Sequence, residues 1–129
     1  MTTVFIYGTL KRGGSNHLFL EGQRLLGSVR TVPGYTLYSL GDYPGMVRSP
    51  GDTAGVRGEL WVVDDTCLAE LDRLEGLDEG LYERIDVMLA PNPHAGSAQT
   101  YLYLRSFDGL PPLGSEWPIG GGARPPDAL

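Results

Sequence analysis

Glu75 is a carboxylate at a position where a helical pattern calls for a leucine. Asp64-Asp65-Thr66 supplies capping oxygens for a helix start and Gly76 a natural stop. Between them Cys67, Leu68, Leu71 and Leu74 recur at helical spacing. Counted at about 100° per residue, Glu75 falls between Leu68 and Leu71, inside the apolar stripe. Glu70, Asp72 and Arg73 fall off that stripe and are expected to face water. Apolar surroundings disfavour the charged form of a carboxyl and raise its pKa. The partial negative charge of a helix C-terminus acts the same way. A glutamate so raised can both accept and donate a proton near neutral pH. A residue at the stripe's edge, its carboxylate reaching solvent, fits the same wheel, and the pattern alone leaves both open.

A second candidate lies near the N-terminus. Val4 to Tyr7 is a short apolar run that stops at Gly8 and gives way to the polar stretch Thr9-Leu10-Lys11-Arg12-Gly13-Gly14-Ser15-Asn16-His17. An apolar run bounded by turn residues reads as a buried strand. Gly8 permits backbone angles that other residues avoid and close approach of a ligand to the main chain. Amides freed at such a strand end can hold a small anionic group. A strand followed by a plain turn fits these residues equally well.

Tyrosines form a third group. Tyr101, Tyr103 and Arg105 share one face of a strand pattern, and Tyr82 starts another on the same face as Arg84 and Asp86. An apolar ring with a polar tip suits a pocket wall and a sheet's outer face alike. Gly41-Asp42-Tyr43-Pro44-Gly45 reads as a turn cluster that could wall a pocket. Pairing Cys67 with His17 or His94 as nucleophile and base is discounted, because Cys67 lies on the core-facing stripe. The two histidines give no metal-ligand spacing, and no phosphate-loop or dinucleotide fingerprint is present. No metal site and no cofactor are expected.

The elements that must position these residues are mostly strands. After Val4–Tyr7 they are expected at 28–32, 35–40, 56–63, 82–89 and 99–105, each rich in β-branched or aromatic residues and bounded by Gly, Pro or Asp. Asn16 to Glu21 suits a short helical turn, and one clear helix runs from Asp64 to Gly76. Many strands with one helix suggest an antiparallel or mixed sheet with the helix packed outside. With 129 residues the chain is expected to form a single domain over 1–118, followed by a Gly/Pro-rich tail at 119–129.

Sixteen acidic against ten basic side chains, a net charge of −6, argue against a nucleic-acid partner. The single cysteine can form no internal disulfide, which suits a reducing compartment. No apolar segment is long enough to span a bilayer, and the first residues lack a targeting pattern. A cytoplasmic location without a membrane partner is therefore expected; oligomeric state is left open.

Taken together, Tyr7-Gly8-Thr9-Leu10-Lys11-Arg12-Gly13, Asn16-His17, Leu71-Asp72-Arg73-Leu74-Glu75-Gly76 and Tyr82-Glu83-Arg84 resemble the gamma-glutamyl cyclotransferase-like family. The loop with Asn16-His17 most resembles gamma-glutamylamine cyclotransferases and their small bacterial relatives. The likeness runs from about Val4 to Arg105, and Gly41 to Gly45 fits a Tyr-Pro turn of the family. It implies an α+β fold, a small mixed β-barrel flanked by short helices, with a cavity at one end. By position, Tyr7, Gly8, Thr9 and Leu10 would hold the α-carboxylate and α-amine of a glutamyl group. Glu75 would be the catalytic acid/base, and Tyr82 and Tyr103 would stand near the cavity. The implied reaction closes a gamma-glutamyl amide or amine to 5-oxoproline and releases the amine, without metal or cofactor. A protein that binds gamma-glutamyl or amino-acid ligands without turnover, and a cyclotransferase for another acyl conjugate, remain open alternatives.

Overall fold

The computed structural model describes residues 1–91 and 96–118; His94 and the tail at 119–129 lie outside the described residues. Eight strands and one α-helix are formed: β1 (Thr2–Ile6), β2 (Arg24–Arg30), β3 (Tyr35–Ser39), β4 (Pro44–Arg48), β5 (Arg57–Val63), α1 (Asp65–Leu74), β6 (Tyr82–Leu89), β7 (Gly96–Tyr103) and β8 (Pro112–Gly114). Short 3-10 turns at His17–Leu20 and Leu77–Glu79 complete the order. The strands build a five-stranded mixed sheet, β2-β5-β1-β7-β6, and a three-stranded antiparallel sheet, β4-β3-β8.

β1 is the middle strand of the larger sheet and is covered on both faces. Val4 and Ile6 pack with Trp61, Cys67 and Leu71 beneath the helix, while Phe5 packs with Leu37, Met46 and Leu60 between the sheets. Alternation along one strand thus feeds two cores. That is why its sequence is an unbroken apolar run rather than an alternating one.

The expected barrel does not close. Among the described residues the outer strands of the larger sheet, β2 and β6, meet only at the bridge Thr31–Leu89. Val32 N–H donates to Met88 O (3.0 Å) and Ala90 N–H to Arg30 O (2.8 Å) beside it. Beyond that corner Pro33, which has no N–H for a ladder, and Gly34, with φ 115°, turn the chain into the second sheet. The α+β class stands, as two sheets joined at a corner.

β4 corrects a second expectation. Pro44 and Gly45 carry the composition of a turn, yet they begin a strand that pairs with β3 from Ser39–Pro44 to Tyr35–Arg48. β4 lies at a sheet edge, and a proline is tolerated as the first residue of an edge strand. β8 has no counterpart among the expected strands; it is three residues long and pairs irregularly with β3.

The helix follows its sequence signals. Asp64 Oδ1 accepts from the Cys67 amide at 2.7 Å, the expected N-cap bond. At the other end Glu75 is the C-cap residue, its N–H donating to Leu71 O at 2.9 Å. Gly76 follows with φ 68°, the left-handed conformation that ends helices and suits glycine best. A 3-10 turn then leads directly into β6, so Glu75 and Tyr82 stand close together on the same flank of the larger sheet. Among the described residues no helix is long and apolar enough to cross a membrane.

Candidate active site

A cavity of about 260 Å³ opens where the end of β1, the start of β4, the end of α1 and the start of β6 converge. It is lined by Tyr7, Gly8, Thr9 and Leu10 from the first element and its loop, and by Leu74, Glu75, Leu81 and Tyr82 from the helix end and the strand that follows. Tyr43 and Pro44 from the start of β4, and Tyr101 from β7, complete the sides.

The loop after β1 is folded back on itself and pinned from behind. Lys11 N–H donates to Gly8 O (3.1 Å), Asn16 N–H to Thr9 O (2.9 Å), and Asn16 Nδ2 to Thr9 Oγ1 (3.0 Å). Behind it, buried Glu59 on β5 accepts from the Arg12 amide (3.0 Å), the Arg12 Nε (2.9 Å) and the Trp61 indole (3.1 Å). Burial pushes the Glu59 carboxyl up, but these donors outweigh it and hold its pKa below the ordinary value. The Lys11 ammonium, also buried, donates to Trp117 O at 2.6 Å. Among the described residues the amides of Gly8, Thr9 and Leu10 donate to no protein acceptor. Three fixed, unspent backbone donors in a cavity wall can receive an anionic group.

Gly8 is required by packing and not by an unusual backbone angle. Its φ is not positive. A Cβ there would instead come within 2.9 Å of Pro44 Cγ. Glycine lets the start of β4 close over the loop, and that contact sets the width of the cavity at this point.

Glu75 takes the inward of the two placements that the helical wheel leaves open. Glu75 is half-buried and lines the cavity, and its carboxyl has no hydrogen-bond or ion-pair partner among the described residues. Burial raises its pKa from an ordinary 4.5 to about 7.

The tyrosines are committed elsewhere. Tyr7 O–H donates to Tyr101 O (2.7 Å), Tyr82 O–H to Pro44 O (2.7 Å) and Tyr101 O–H to Asp72 Oδ1 (2.8 Å). Burial, reinforced by the nearby Glu75 charge, pushes all three phenols well above their ordinary range. Their rings shape the walls, while Glu75 is the group there whose proton is exchangeable near neutral pH.

Tyr103 is set back from the cavity. It pairs with Tyr82 across the β6–β7 ladder, with ring centroids 5.5 Å apart, and packs over Gly45. It supports Tyr82 from behind instead of lining the space. Tyr101, one of the residues noted on the same strand face, takes the lining position. Cys67 is buried with its Sγ donating to Phe19 O at 3.3 Å, and burial raises its thiol pKa, so it is an inert core residue. His17 is occupied with Leu10 O through Nδ1 (3.0 Å).

Asp72 departs from expectation. Its place off the apolar stripe assigns it to water, yet its carboxylate accepts from Tyr101 O–H and from Arg84 Nη1 at 2.8 Å to Oδ1 and 2.6 Å to Oδ2. The signal is present in Tyr82-Glu83-Arg84, but only strand pairing brings Arg84 and Tyr101 side by side beneath α1.

A small cavity that holds a neutral-range carboxyl and free backbone amides is chemically able to move a proton on a small molecule. Comparison with known proteins places the chain in a family. The chain belongs to the gamma-glutamyl cyclotransferase, AIG2-like family, which it matches over residues 4–118, and is an enzyme of the gamma-glutamylcyclotransferase type. A Vibrio cholerae protein provisionally named a gamma-glutamylcyclotransferase is 44% identical over 100 residues, covering 78% of this chain and 80% of that one. The Escherichia coli K12 gamma-glutamylcyclotransferase family protein YtfP is 40% identical over 107 residues, 83% of this chain and 87% of that one. The crystal structure of an AIG2-like protein from Mus musculus superposes with a TM-score of 0.73 at 28% identity, covering 100% of this chain and 93% of that one.

Proposed function

We propose that the enzyme closes the glutamyl part of a gamma-glutamyl amide into 5-oxoproline and releases an amine, with Glu75 carrying the proton. The observation that supports this most is the partnerless Glu75 carboxyl, its pKa raised to about 7, lining the same 260 Å³ cavity as the unspent amides of Gly8, Thr9 and Leu10. In this reading the loop holds the glutamyl α-carboxylate and folds the substrate back on itself. The α-amine attacks the γ-carbonyl carbon, a C–N bond forms, and the bond to the departing nitrogen breaks. The Glu75 carboxylate takes one proton from the α-ammonium and passes it to the departing nitrogen; the second proton, lost from the attacking nitrogen as the ring N–H forms, ends on the released amine as its ammonium, so no water is consumed. Nucleophile and electrophile share one molecule, and the site acts chiefly by fixing geometry. Loop amides stabilise negative charge developing on the carbonyl oxygen.

The walls also bear on the leaving group. Among the described lining residues none is Lys, Arg or His. A leaving group with its own carboxylate finds no cationic partner there, which favours simple amines over amino acids and peptides. Incubating the protein with gamma-glutamyl amines, gamma-glutamyl amino acids and glutathione, and measuring 5-oxoproline, tests this. Release is expected foremost from the amines; no 5-oxoproline from any of them overturns the reading.

A further inference from the structure

We propose that Asp72 is a positioning residue: by holding the Tyr101 hydroxyl it fixes the end of α1, and so the Glu75 carboxyl, against the cavity. The inference rests on Glu75 being the proton carrier. Asp72 stands three residues before Glu75, about one helical turn away on a neighbouring strip of the helix surface. Glu75 is itself the C-cap residue, where the helix ladder ends and termini fray. Its position therefore needs support from outside the helix.

Asp72 supplies that support through a continuous chain of bonds. Its Oδ1 accepts from Tyr101 O–H at 2.8 Å, and Tyr101, only 3% exposed, lines the cavity. The Tyr101 carbonyl accepts from Tyr7 O–H at 2.7 Å, and that oxygen accepts from the Met46 amide at 3.2 Å. The helix bearing Glu75 is thereby tied to the strand that carries the amide loop. Arg84, whose side chain is 28% exposed against 27% for Asp72, orients the carboxylate from its outer side. The pair is part-buried, so breaking it also carries a cost to stability, which melting curves record separately from turnover. What it secures is the direction of the Asp72–Tyr101 bond, a charge-assisted contact of the stronger kind.

The test is steady-state kinetics with melting curves on Asp72→Ala, Tyr101→Phe and the double variant, using the best substrate of the panel. Alanine keeps the helix, and Tyr101→Phe removes the same bond while leaving the part-buried Asp72–Arg84 pair in place. Each single variant is expected to lower kcat by about 10- to 100-fold, the scale of a sub-ångström to one-ångström misplacement, with KM within about three-fold of the parent. The double variant is expected to be no slower than the slower single, because both remove the same bond. A purely structural brace lowers the melting temperature and leaves kcat within about two-fold, and that result overturns the proposal. So do losses that multiply in the double variant. Glu75→Gln, assayed alongside, separates the two readings. Activity kept there removes the role of Glu75; activity lost there but kept in Asp72→Ala removes only that of Asp72.

Discussion

Glu75→Gln is expected to lower kcat by about 10²- to 10⁴-fold while KM stays within a few-fold of the parent. Glutamine keeps the size of the side chain and its place in the cavity lining. What it loses is the ability to take up and return a proton. Nothing nearby can substitute. The Tyr7, Tyr82 and Tyr101 hydroxyl protons are committed to Tyr101 O, Pro44 O and Asp72, and burial holds all three phenols un-ionised. The amides of Gly8, Thr9 and Leu10, proposed to hold the substrate carboxylate, are untouched, so substrate is still expected to bind. Steady-state 5-oxoproline formation checks this, and a variant within about ten-fold of the parent contradicts it.

The same substitution is expected to make the protein more stable at alkaline pH. Folding raises the Glu75 pKa from 4.5 to about 7, so the folded state favours the protonated form. At low pH both states carry the proton and the group imposes no penalty. As pH rises past 4.5 the unfolded chain ionises while the folded one does not, and stability falls until about 7, where the loss levels off. The full deficit is up to about 3 kcal/mol, and the neutral amide of the variant does not incur it. Urea unfolding of parent and variant is thus expected to coincide near about pH 4 and to separate above about pH 8, with the variant more stable. Equal stability at the higher pH means the carboxyl reaches solvent in the folded enzyme. A residue that is both necessary for turnover and costly to stability is what a functional site predicts.

Much of this site was legible because local patterns carry it. The Glu75 wheel needs only a capped helix with a glycine stop, and the structure keeps the cap at Asp64, the C-cap at Glu75 and the left-handed Gly76. The Val4–Tyr7 run announces a buried strand, and β1 is that strand, covered on both faces. What escaped depends on contacts between distant segments. Gly8 is glycine because of Pro44, far along the chain, and no local rule couples them. Pro44 and Gly45 carry turn chemistry, so β4 was hidden until β3 was seen beside it. Asp72 looked like a solvated face, since nothing local says that Arg84 and Tyr101 pair across the β6–β7 ladder beneath it.

The barrel is a related case. Six of the eight strands among the described residues follow from local composition, but closure depends on whether the edges β2 and β6 meet along their length. Among the described residues they meet at one bridge, where Thr31 faces Leu89. The tyrosines show the limit from another side. Their pattern groups Tyr82, Tyr101 and Tyr103 on strands, yet which ring lines the cavity and which stands behind it is set by packing on Gly45.

The most direct measurement is the pH dependence of kcat/KM on the best gamma-glutamyl substrate, because that ratio reports the free enzyme. The carboxylate form of Glu75 is the one that accepts the substrate's proton. The account predicts that kcat/KM rises with pH along a single acid limb centred at about 7. A limb centred near the ordinary 4.5, or a profile flat between the two values, contradicts it.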